Sequence, residues 1–111
     1  MRMKIEYVVH VRHVVQTDTG KTRAKEWVCL RGYGELITYP HAGDAVLIPG
    51  IKYQGEDNPR GVQYLLLKDG VDERPQVVLK HEDFYHWSSF EGRQNEYKAA
   101  GFVESSRGHE E

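Results

Sequence analysis

A chain of 111 residues, 39% apolar and 29% charged, is long enough for one modest core and too balanced in composition for a disordered tail or a membrane-embedded protein. Its net charge of −2 excludes polyanion binding as a bulk property, although residues 1–53 carry eight Lys/Arg against five Asp/Glu and the acidic excess lies in the remainder. The single cysteine, Cys29, excludes an internal disulfide and a thiolate metal cluster.

Glu6, His10, Arg12 and His13 interrupt the N-terminal apolar stretch and no small-residue cleavage site follows, so no export signal is read and a cytoplasmic location is expected. From Lys4 to Val15 the chain alternates. Ile5, Tyr7, Val9, Val11, His13 and Val15 share one face, which predicts a long half-buried strand. QTDTGK supplies Asp18 and Gly20 as turn formers, and AKEWVCLR reads as the return strand of a hairpin, covered on both faces. Cys29 within it is expected to be a buried, inert thiol. ELITY, AVLI, IKYQ, VQYLLL and QVVLK read as further strands. Between them lie PHAGD, Pro49-Gly50, the loop GEDNPRG, expected to be mobile, and a turn at Asp69-Gly70.

The period then changes. Ser88 with Glu91 forms a capping-box pattern, Phe90, Tyr97 and Ala100 share one helical face, and Gly101 stands where a C-terminal cap belongs. The expected fold class is α+β, mainly β: a small antiparallel β-barrel or strongly curved sheet of 5–6 strands with one C-terminal helix. It is read as one domain over residues 1–104, followed by a polar tail over 105–111.

Residues 31–38, RGYGELIT, carry the sharpest functional hint. Arg31, Gly32, Tyr33, Gly34 and Leu36 fit the RNA-recognition strand pattern, in which glycines admit close approach and aromatics stack bases; Glu35 and Thr38 occupy its other aromatic positions. The stretch resembles the KGYGFI strand of cold-shock domains, and KEWV, Lys25 to Val28, resembles their KWF strand. The resemblance implies an OB-type barrel that binds single-stranded nucleic acid. Trp27 and Tyr33 would then stack bases, and Arg12, Arg23, Lys25 and Arg31 would meet phosphates. The plainer reading, taken here, makes Gly32 and Gly34 turn or bulge residues between two strands.

His81 and His86 flank Glu82 and Asp83 without a zinc spacing, and His10 and His13 point to opposite faces of a strand, so no metal site is expected. No phosphate loop, dinucleotide fingerprint or zinc-protease motif is present, and no catalytic residue or cofactor is expected. The remaining feature is aromatic. DFYHW places Phe84, Tyr85 and Trp87 close together, and these with Asn58 and Arg60 of the GEDNPRG loop form a candidate protein-contact surface. The function expected is a small non-enzymatic module that contacts another protein, as adaptor, inhibitor or assembly component. Single-stranded nucleic-acid binding is the alternative.

Overall fold

The computed structural model describes residues 2–68, 70 and 73–110. Its spine is a hairpin of two long strands, β1 (Met3–Gln16) and β2 (Thr22–Leu36), paired antiparallel from Met3↔Leu36 to Gln16↔Thr22. Gly20 closes the turn at φ +83°, and the Thr17 amide donates to the Lys21 carbonyl at 2.7 Å. The alternation expected of β1 holds from Ile5 to Val11. Past it the register shifts between His13 and Val14, and Val14 rather than Val15 is fully buried.

Shorter elements follow: β3 (Ala45–Val46), β4 (Lys52–Tyr53), β5 (Glu56–Asp57), β6 (Arg60–Leu66), β7 (Gln76–Leu79), β8 (Glu82–Phe84), α1 (Trp87–Ala99) and β9 (Val103–His109). The expected Asp69-Gly70 turn lies partly outside the described residues. The start of GEDNPRG forms half of a β4–β5 hairpin instead of an open loop, turned by Gln54 and Gly55 at φ 51° and 82°.

The α+β, mainly β class holds, but the sheet is open, mixed and seven-stranded, which corrects the expected antiparallel barrel or curved sheet of 5–6 strands. Its order is β3-β6-β7-β1-β2-β9, with β8 also on β1, so β3 and β9 remain as edges. β7 and β8 lie end to end along β1 and both run parallel to it, Glu6↔Gln76 and Val11↔Glu82 marking the start of each ladder. Apolar alternation reports that a strand has a buried face; it does not report the partner or its direction.

One face of the sheet carries the core. Ile5, Val9, Val11, Val28, Leu30 and Val77 are fully buried there beneath Phe90, Tyr97 and Phe102. Each such side chain contributes about 1.5–3 kcal/mol through burial. The helix that covers them begins one residue before the expected Ser88 cap. His86 takes the cap position in extended conformation with no side-chain bond, and Trp87 donates from Nε1 to Glu91 at 2.9 Å. The C-terminus follows expectation: Gly101 adopts φ +99°, its amide reaches the Lys98 carbonyl at 3.1 Å, and the Phe102 amide reaches Tyr97 at 3.0 Å. The accompanying apolar contact is Tyr97 on Phe102, with ring centroids 5.0 Å apart.

Of the tail expected over 105–111, residues 105–109 belong instead to edge strand β9, which pairs with β2 from Arg31↔Val103 to Glu26↔His109. The strand is polar because its side chains bury little; its backbone satisfies the second edge of β2, and Arg107 anchors it to Glu26 at 2.7 Å and Gln94 at 2.6 Å. Among the described residues no helix is long and apolar enough to cross a membrane.

Candidate functional site on the open face of the sheet

RGYG is neither a turn nor the start of a new strand; it lies inside β2. Alternation puts Trp27, Cys29, Arg31 and Tyr33 on the sheet face away from α1, opposite Arg12, His10, Val8 and Glu6 of β1. The intervening glycines face the core. A Cβ on Gly32 would lie 2.5 Å from the Phe102 ring, and one on Gly34 would lie 2.8 Å from the Tyr7 ring.

The open face has an apolar floor of Val8, Cys29 and Val78, 6–7% exposed. Aromatic rings stand around it: Tyr33 is 68% exposed, Tyr64 48% and Trp27 37%. Tyr64 reaches this face through a bulge in β6, where Val62 pairs with Leu79 but Tyr64 already pairs with Val78. Sequence reasoning missed Tyr64 as part of a stacking surface, because the bulge leaves no mark in the local pattern.

At one end of the face the Arg74 guanidinium lies 4.7 Å from the Tyr33 ring centroid. Around it is a cleft of about 400 Å³ lined also by Glu6, Arg31, Lys68 and Glu73. Gln76 donates to Glu6 at 2.6 Å, and Arg31 lies 3.6 Å from the same carboxylate. At the other end Arg12 grips Asp83 with two bonds, 2.6 and 2.7 Å. This bond raises the Arg12 pKa. His10 stands beside it with its pKa lowered, first by burial and then by the charges of His81 and Arg12.

The structure therefore gathers Trp27, Arg31, Tyr33 and Arg12 on one face. It does not bring Arg23 and Lys25 to their side. Arg23 pairs with Glu110 at 2.9 Å, and Lys25 is the residue skipped where the β1–β2 register shifts.

The candidate protein-contact residues are divided. Phe84 packs against the core with Arg93 6.0 Å from its ring centroid. Arg60 is drawn inward to Glu82 at 2.6 Å, and the Asn58 amide donates to the Ile51 carbonyl at 3.0 Å. Tyr85 and Trp87 stay 56% and 48% exposed at the start of α1.

Glu82 centres a second polar group on the covered side. It accepts from Arg60, from Arg93 at 3.1 Å and from the Tyr97 hydroxyl. Burial first, and the Glu82 charge second, raise the Tyr97 pKa. With Glu96 on Arg93 at 2.9 Å, the group joins β6, β8 and α1 with its charges matched, which is a structural role. His81 and His86 do not converge: β8 is a strand, so the helical spacing that would align Glu82 with His86 does not exist. No group of three metal-ligating side chains occurs among the described residues.

No family model, curated protein or solved structure matches this chain.

Proposed function

We propose that this protein binds single-stranded nucleic acid across the open face of its sheet. One observation carries the reading: Trp27, Arg31 and Tyr33 occupy alternate positions of one strand on the face that α1 leaves bare, with Tyr64 beside them. Exposed rings on a rigid sheet are suited to stacking bases, at about 1–3 kcal/mol per base, with little regard for sequence. The rings stand over a buried apolar floor of Val8, Cys29 and Val78.

Arg31, Lys68 and Arg74 at the Tyr33 end are the cations for phosphates, and Arg31 exchanges Glu6 for the ligand. Three such contacts give a modest salt dependence, a slope of about −2 in log K against log salt. Anisotropy of labelled single-stranded DNA and RNA at low and near-physiological salt tests this. Micromolar binding that weakens with that slope supports it; no binding at low salt removes it.

A second reading, contact with another protein, rests on Tyr85 before α1 and Trp87 at its first position, both exposed. In that case Tyr85→Ala loses a protein partner and leaves any oligonucleotide binding unchanged.

A further inference from the structure

We propose that the cavity beside Trp27 is a base-binding subsite: one nucleobase of the bound strand lies against the indole and presents its edge to Gln63 and His10. This rests on the reading of the open face as a nucleic-acid surface and adds where a base is held and by which groups.

The indole is a fixed wall. It lies against the backbone of β9 at Gly108, where a Cβ would come 2.5 Å from Cε2 and closer still to Nε1. Only glycine at 108 leaves that ring its place. Trp27 also lines a cavity of about 350 Å³, shared with His10, Arg12, Ala24, Gln63 and His81. That volume is at the small end of ligand pockets, about 300–1,000 Å³, and suits one base.

Gln63 is there by construction. It is the extra residue of the β6 bulge, between Val62↔Leu79 and Tyr64↔Val78. Bulges of this kind re-aim a side chain at the expense of ladder pairing. The amide offers both a donor and an acceptor. His10 offers the same pair when neutral, and burial together with His81 and Arg12 favours that form.

The chemistry separates a base from a phosphate. The one guanidinium lining the cavity, Arg12, is already held by both oxygens of Asp83, and His81 lies 3.6 Å from the same carboxylate. An incoming phosphate would find that guanidinium fork already taken. A neutral planar ring with a donor–acceptor edge meets a flat wall and matching groups.

The test uses a Trp87→Phe background, in which Trp27 is the sole tryptophan. Labelled single-stranded oligonucleotide is titrated while anisotropy and Trp27 emission are followed together, for the parent and for Gln63→Ala. An abasic oligonucleotide of equal length is the third arm. Expected are quenching of Trp27 that saturates with anisotropy, about fivefold weaker binding for Gln63→Ala, and no quenching by the abasic strand. Binding by anisotropy with Trp27 emission unmoved and Gln63→Ala unchanged overturns the subsite and leaves the open-face reading standing. No anisotropy change in the parent overturns both.

Discussion

The ring of Phe102 occupies the space that a side chain at residue 32 would need, with Cδ1 and Cε1 each 2.5 Å from where a Gly32 Cβ would sit. Phe102 cannot step aside. It is 4% exposed, packed on Tyr97 and stacked on Tyr7 at 6.3 Å, and its backbone closes the C-terminus of α1. Gly32→Ala therefore overpacks the core and is expected to cost about 2 kcal/mol. Urea denaturation measures it. A midpoint equal to that of the parent would show that the ring yields freely.

That contact also explains why RGYG, which reads locally as a turn or bulge, lies within a continuous strand. The reason for Gly32 lies seventy positions away in Phe102, and no local pattern carries it. What was legible was local: the alternation of Ile5 to Val11, the Gly20 turn, the buried Cys29, and the Phe90–Tyr97 face with Gly101 after it. Three things were not legible. Parallel pairing of β7 and β8 with β1 depends on long-range docking. The strand nature of VESSRGH depends on a vacant edge of β2, since its side chains are polar. The bulge that brings Gln63 and Tyr64 onto the open face depends on register. Of the site, the β2 residues Trp27, Arg31 and Tyr33 were named from sequence; Tyr64, His10, His81 and Gln63 joined them only through the sheet.

Glu82 and Asp83 are adjacent acids on β8 with opposite prospects. The Glu82 carboxylate is 9% exposed between Arg60 and Arg93, whereas Asp83 and its partner Arg12 are 27% and 32% exposed. Glu82→Gln leaves Arg60 without a counter-charge and Arg93 with only the more exposed Glu96, and is expected to cost about 3 kcal/mol. Asp83→Asn is expected to cost about 1 kcal/mol or less. Paired urea curves check the order, and equal losses would contradict it.

The pH dependence of stability has a predictable sign at His10. Its folded pKa lies below the ordinary 6.5 because burial, His81 and Arg12 disfavour the charged form. The unfolded chain therefore binds the proton more readily, and stability present above pH 6.5 is lost as pH falls through that value toward the folded pKa. Arg12 is in turn fixed by Asp83, so the repulsion persists throughout this window. Glu104 has a lowered pKa through Arg107, and its contribution is lost only below its ordinary 4.5. Between pH 7 and pH 5 the unfolding midpoint should fall, and His10→Gln should flatten the fall. An unchanged slope in the variant would assign the effect elsewhere.

Truncation after Glu104 would be harmless to a protein ending in a polar tail. Here it strips most of β9 from β2 and removes Arg107 from Glu26 and Gln94, together with the Gly108 bed of Trp27. Several ladder bonds at about 1 kcal/mol each are lost. A lower unfolding midpoint and red-shifted tryptophan emission are expected; identical curves would mean that the strand does not form.

The most direct test of the account compares two surfaces of one protein by oligonucleotide anisotropy. Tyr33→Ala with Tyr64→Ala removes two exposed rings from the open face, and Tyr85→Ala removes one from the other candidate surface. The account predicts at least a tenfold loss of single-stranded binding for the first variant, from about 1–3 kcal/mol per lost stack, and parent-like affinity for the second. Parent-like binding by the Tyr33/Tyr64 variant would contradict it.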